Sequence, residues 1–182
     1  MRLPDVLSTS FRKRIYEAFI SSNFNYCSLV WHFCGKKSTR KVEYIQERCL
    51  RFIYGDFIST YASLLFQTKA ESLYMQRCKK MLKFTFKVLQ KEVPQFMYDM
   101  FKFHETQYNL RDNVKLELPK YNSVNYGKLC IRYEGAKLFS NLPVHMKMSD
   151  SSQDFNNVLS QWQGPHCHCG ECFMCLSRLT SA

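Results

Sequence analysis

The residues best suited to chemistry lie near the end of the chain, in "GPHCHCGECFMC", Gly164 to Cys175. Four thiols follow the spacing Cys167-x-Cys169-x2-Cys172-x2-Cys175, with His166 and His168 interleaved. Two thiolates at Cys-x2-Cys spacing converge on one tetrahedral zinc while backbone amides point at the sulfurs. Here two such hooks share Cys172, so Cys167, Cys169, Cys172 and Cys175 could close one small structural zinc site. Catalytic zinc needs an open position and a nearby base, and nothing in this stretch calls for one. The second pair that many zinc sites place a dozen or more residues away is missing. The Cys-x2-Cys-x4-His-x4-Cys knuckle pattern is not met either. An iron–sulfur cluster and a reduced tail without metal stand as alternatives.

The second chemical signal is positive charge. The 182-residue chain carries 26 Lys and Arg against 15 Asp and Glu, a net charge of +11. Residues 1–92 hold 17 cations against 7 anions, whereas residues 93–182 hold 9 against 8. Charge concentrated in one half points to a polyanionic partner, with a lysine-rich solvated surface as the plain alternative. Two clusters are the candidate phosphate contacts. Arg40, Lys41, Arg48 and Arg51 fall on or near one amphipathic helix. Arg77, Lys80, Lys83, Lys87 and Lys91 gather within an arc of roughly 120° on another, with Phe84 among them. A cationic stripe with an aromatic in it suits phosphates and a base or sugar; an ordinary solvated face with one exposed Phe explains it equally well. For Arg48 and Arg51 the competing explanation is a salt bridge to Glu43 or Glu47 on the same helix.

The elements that must position these groups are mainly helical in the first half. Ser10 is placed as the cap of a helix with Phe11, Ile15 and Phe19 at four-residue spacing. "NYCSLVWHFCG" continues apolar to Gly35, expected as a left-handed stop. After "KKST" a helix carries Val42, Ile45, Cys49, Phe52 and Ile53 and ends at Gly55; Ser72 opens the longest helix, which runs to about Glu92 before Val93-Pro94. Beyond it, "VKLELP" alternates like a half-buried strand and "YGKLCIRY" is expected to pair with it as a short hairpin. A last helix has Ser151 or Ser152 as cap, Phe155, Val158, Leu159 and Trp162 as its apolar edge, and Gly164-Pro165 as terminator. The expected organisation is a basic helical region (1–104), a small α+β region (105–163) and a Cys/His-rich tail (164–182). Cys27, Cys34, Cys49, Cys78 and Cys130 read as small apolar residues rather than ligands, and His32, His104 and His145 have no evident partners. No run of eighteen apolar residues suggests a membrane span, and the opening residues lack the apolar core of a secretion signal. Nine irregularly spaced cysteines do not suit a secreted disulfide framework, so an intracellular location, nuclear or cytoplasmic, is expected.

Within "FISSNFNYCSLVWHFCGKKSTRKVEYIQERCLRFIY", Phe19 to Tyr54, the chain resembles the segment after the polymerase palm in reverse transcriptases of non-LTR (LINE-class, jockey-like) retrotransposons. The matching features are Tyr26-Cys27, Val30-Trp31, and the Ile-Gln-Glu-Arg…Leu-Arg-Phe pattern from Ile45 to Phe52. "YGKLCIRYEGAKLFSNLP" is similar to a later family stretch, with Phe139 where Trp is usual and Ser140-Asn141 in exchanged order. "DFNNVLSQWQGPHCHC" resembles the family's tail, so the resemblance covers roughly residues 10–175.

That resemblance implies a thumb-like helical bundle that grips a template–primer duplex of RNA or DNA beside a polymerase palm, if one is encoded upstream. Catalysis in the family uses an adjacent Asp pair to hold two magnesium ions. The six Asp here, at 5, 56, 99, 112, 150 and 154, are nowhere adjacent, so no catalytic residue carries over and no enzyme activity is expected of the chain by itself. The alternative is a non-catalytic helical protein-interaction module, zinc-stabilised or not. It would associate through an apolar edge at Phe24, Trp31 and Phe33.

Overall fold

The structure is a computed structural model that describes residues 7–104, 114–162 and 164. They form nine α-helices with short 3-10 and π-helical turns, and no strand occurs among them. They divide into two compact units whose boundary falls after Arg77. The shift in charge along the chain and this division by packing are separate boundaries, the former near residue 92 and the latter at 77.

The first unit starts with a continuous helical stretch: α1 (Thr9–Ile15), a π-helical segment (Tyr16–Ser21) and α2 (Ser22–Asn25). Its cap is Ser8, not Ser10: the Ser8 hydroxyl accepts from the Phe11 amide at 3.3 Å. The expected apolar edge is turned outward, with Phe11 and Phe19 exposed. Tyr26 leaves the helix, Cys27 takes a left-handed conformation (φ 45°), and α3 (Ser28–Trp31) follows. Gly35 is therefore not the left-handed stop. It is extended and caps α4 (Lys36–Tyr54), which absorbs "KKST" into its first turn. Gly55 ends α4 at φ 71°, as its place after the last apolar residue requires.

The α1 helix packs on α4 through a buried cation. Arg12 donates from Nη1 to the Phe52 carbonyl in the last turn of α4 and from Nη2 to Thr9 Oγ1 at 3.3 Å. A guanidinium at a helix C-terminus satisfies an orphan carbonyl and meets the negative end of the dipole. Asp56 Oδ1 accepts from the Ile58 and Ser59 amides, each at 3.0 Å, and shapes the turn into α5 (Tyr61–Thr68), which Thr60 caps. Lys69 (φ 53°) closes α5: the Ala70 amide reaches the Leu65 carbonyl and the Lys69 amide that of Phe66. Ser72 caps α6 (Leu73–Leu89), accepting from the Met75 amide at 3.2 Å.

The second unit takes α6 from Cys78 onward. Cys78, Met81, Leu82, Phe86 and Val88 are all buried. Lys91 (φ 58°) ends the helix with the same double bond, Glu92 amide to Lys87 carbonyl and Lys91 amide to Val88 carbonyl. A 3-10 turn (Gln95–Met100) leads to Phe103, which makes a single antiparallel bridge with Leu116. The expected hairpin is not found among the described residues. "VKLELP" meets the chain before it, and the proposed partner strand is instead a π-turn (Val124–Lys128) and helix α7 (Ile131–Ser140). Packing decides this. Gly135, Ala136, Leu138 and Phe139 are buried, and a Cβ built on Gly135 would lie 2.8 Å from Thr85 Oγ1. Glycine at this point lets the α7 backbone approach the Thr85 and Phe101 side chains so closely. After α8 (Val144–Lys147), α9 (Ser152–Ser160) is capped by Ser151, and Phe155 stacks on Phe86 at 4.2 Å. Two buried lysines finish helices here: Lys79 Nζ donates to the Ser160 carbonyl at 2.9 Å and Lys147 Nζ to that of Ser140 at 2.8 Å. No helix among the described residues is long and apolar enough to cross a membrane.

Candidate nucleic-acid interface

One face of α4 collects several exposed cations. Arg40, Lys41 and Arg48 are exposed, as is Lys37. Tyr44, 57% exposed, stands among them, with the Arg48 guanidinium 5.9 Å from its ring centroid. Lys37, Arg40, Lys41 and Tyr44 line one shallow cleft together. The spacing 37, 40, 41, 44, 48 repeats every three to four residues and so lies along a single stripe. Among the described residues none of these four cations makes an ion pair with a carboxylate. Lys37 and Tyr44 were not singled out from the sequence, although their spacing from Arg40 and Arg48 carries the signal.

Arg51 behaves otherwise. It is half-buried, and its Nε and Nη2 both donate to Glu47 Oε1, at 3.1 and 2.6 Å. The competing explanation is thus realised for Arg51 and not for Arg48. Glu43, the other expected partner, faces inward. Its Oε1 accepts from the Tyr74 amide at 2.7 Å and its Oε2 from the Leu73 amide at 3.3 Å, so it caps the N-terminus of α6. The Tyr61 hydroxyl lies 2.8 Å from Glu43 Oε2 and 2.7 Å from Gln46 Oε1, its one proton shared between them. Gln46 also accepts from the Leu73 amide and donates to the Glu71 carbonyl. Burial raises the Glu43 carboxyl, against the opposing pull of these hydrogen bonds and of Arg77. Burial and Glu43 push the Tyr61 phenol well above its ordinary value.

The α6 cluster is brought together only in part. Arg77 is 2% exposed and turned away from solvent, 4.5 Å over the Trp31 ring and 5.8 Å over that of Tyr74. A guanidinium on two aromatic faces is stabilised by their quadrupoles and by packing, so Arg77 leaves the candidate phosphate contacts. His32 stacks on Tyr74 at 5.6 Å, and burial together with the Arg77 charge lowers it to about 4. Lys80 is half-buried, its ammonium lowered by desolvation and by Lys83. Lys83 and Lys87 are exposed on the helix. Lys91 sits past its end, 5.9 Å over the Tyr98 ring. Phe84 is half-buried rather than free on the surface.

Of the expected apolar edge, Phe24, Trp31 and Phe33 are half-buried, and the exposed apolar groups nearby are Phe19, Tyr26 and Val30. Cys78 is buried, Cys34, Cys49 and Cys130 are half-buried, and Cys27 is exposed. Cys167, Cys169, Cys172 and Cys175 lie outside the described residues; among the described ones no three His, Cys, Asp or Glu side chains converge. No protein-family model, curated protein or solved structure matches the chain.

Proposed function

We propose that this chain is a non-catalytic nucleic-acid-holding module, the thumb and C-terminal region of a non-LTR-type reverse transcriptase, which grips template and primer through the α4 face. The observation that carries the reading is the stripe of Lys37, Arg40, Lys41 and Arg48 around Tyr44, exposed and without carboxylate partners among the described residues. Nearby acids would have neutralised an ordinary solvated face. This one keeps its field, and phosphates at a spacing of a few ångströms are the polyanion that meets it. Lys83 and Lys87 add a smaller contact surface. Binding of this kind positions the strand without reading its sequence, and it belongs in the nucleus or cytoplasm.

The test is fluorescence anisotropy of a labelled template–primer duplex against salt. The expected result is an affinity falling by about 0.9 log units per log unit of salt for each phosphate neutralised. Affinity indifferent to salt would remove the proposal. The tail extends it: Cys167, Cys169, Cys172 and Cys175 hold one structural zinc, and native mass spectrometry should find that ion lost on Cys169→Ser with Cys172→Ser.

A second reading, a helical protein-interaction module, is favoured by exposure of 72% at Phe19, 77% at Tyr26 and 73% at Val30. In the first reading this edge meets a polymerase palm. In the second it meets other proteins, and a stable oligomer indifferent to nucleic acid in sedimentation velocity would select it.

A further inference from the structure

Tyr44 belongs to two clefts of the first unit. On one side it borders the cationic cleft of Lys37, Arg40 and Lys41. On the other it borders an apolar cleft of about 370 Å³ between the 9–25 helical stretch and α4, walled by Ile15, Tyr16, Ile20, Ile45 and Phe52. An apolar slot of that size, opening beside the cationic stripe, has room for one nucleobase and the neighbours that it needs.

Polar groups at the cleft narrow its occupant. Arg48 stands at the lip, against the Tyr44 ring. Arg12 also lines the cleft but is 8% exposed, with two of its nitrogens engaged by Phe52 and Thr9. The Tyr16 phenol, pushed up to about 12 chiefly by burial, stays neutral and is turned to Gln46. An aliphatic chain would offer nothing to Arg48 and the cations beside Tyr44, whereas a nucleobase is a flat apolar body tied to a phosphate.

We infer that this cleft takes an unpaired base of the bound strand, with Tyr44 as the stacking surface at its entrance, so that the first unit holds single-stranded template next to the duplex. The inference rests on the phosphate-binding reading above and adds to it a contact that a paired base cannot make.

The test compares a labelled 12-nucleotide oligo(dT) with an abasic strand of the same length and backbone, using the full chain. The expected result is oligo(dT) bound about tenfold more tightly, within the range of one stacked base. Ile45→Lys, at a partly exposed wall position, adds positive charge while spoiling the apolar wall; abasic binding should hold or rise and the ratio fall toward one. Equal, salt-dependent binding of both strands by the native chain overturns this inference and leaves the phosphate reading standing. An oligo(dT) preference unchanged in Ile45→Lys, with its folded circular-dichroism spectrum retained, also overturns it. Failure to bind either strand at low salt removes both.

Discussion

The two units are held by different physics. In the first, a buried polar network sits beside buried Leu50, Ile53, Leu64, Leu73 and Met75: Glu43 and Gln46, with Tyr61, hold the start of α6, while Arg77 lies on Trp31 and Tyr74. In the second, Phe86 on Phe155, Met81, Leu82, Phe139 and Leu159 form an apolar core, and the buried lysines Lys79 and Lys147 cap helix ends. A core of hydrogen-bonded charge specifies one geometry but is sensitive to titration and to the loss of any partner. An apolar core responds to volume instead. The first unit also presents the uncompensated cations. Of the α4 acids, Glu43 is committed inward and Glu47 to Arg51, which leaves the α4 face its field.

The two tryptophans fall one in each unit, so fluorescence of a Trp162→Phe chain follows Trp31 and that of a Trp31→Phe chain follows Trp162. The largest effect is expected for Glu43→Ala. It strands the Tyr74 amide, leaves the Leu73 amide and the Tyr61 hydroxyl to Gln46 alone, and should cost about 3 kcal/mol in urea unfolding read at Trp31. A loss under about 1 kcal/mol would mean the polar network does not hold the first unit. Next is Gly135→Ala in the second unit. A methyl 2.8 Å from Thr85 Oγ1 and 3.1 Å from the Phe101 ring forces repacking, at a cost of about 2 kcal/mol read at Trp162.

The third contrast is in pH. His32 titrates at about 4 in the folded chain against an ordinary 6.5, so the unfolded chain binds the proton more tightly between those values. Stability present above pH 6.5 is therefore lost as pH falls toward 4, by roughly 1 to 2 kcal/mol between pH 7 and pH 5. Glu43, raised by burial, contributes with the opposite sign, becoming less destabilising as pH falls. The difference between native protein and His32→Phe isolates the histidine: the variant should lose less stability on acidification, and parallel curves would contradict the assignment. The smallest effect is a gain. Relieving the left-handed Lys69 by Lys69→Gly should raise the melting temperature slightly, for about 0.5–1 kcal/mol.

Elements with a clear apolar repeat and a matching cap were legible before the structure. The α4 helix to Gly55, α6 from Ser72 and α9 from Ser151 are examples, because cap and periodicity are both local. What went astray was decided at a distance. "LCIRY" alternates as well as a strand does, yet its last three residues open α7, which packs Gly135 against Thr85, fifty residues earlier. The Arg77 side chain belongs on the lysine arc by rotation about its own helix, but Trp31 from another helix takes it inward. Arg40, Lys41 and Arg48 were visible as charge. Their neighbours Lys37 and Tyr44 were missed, although the same spacing of three to four residues puts both on the stripe.

The most direct test of the central claim is the salt dependence of template–primer binding for three proteins: the native chain, Arg40→Gln/Lys41→Gln/Arg48→Gln in the first unit, and Lys83→Gln/Lys87→Gln in the second. The account predicts that the α4 variant flattens the slope of log affinity against log salt by about 2 to 3, and the α6 variant by less. An α4 variant that binds with the native slope would contradict it.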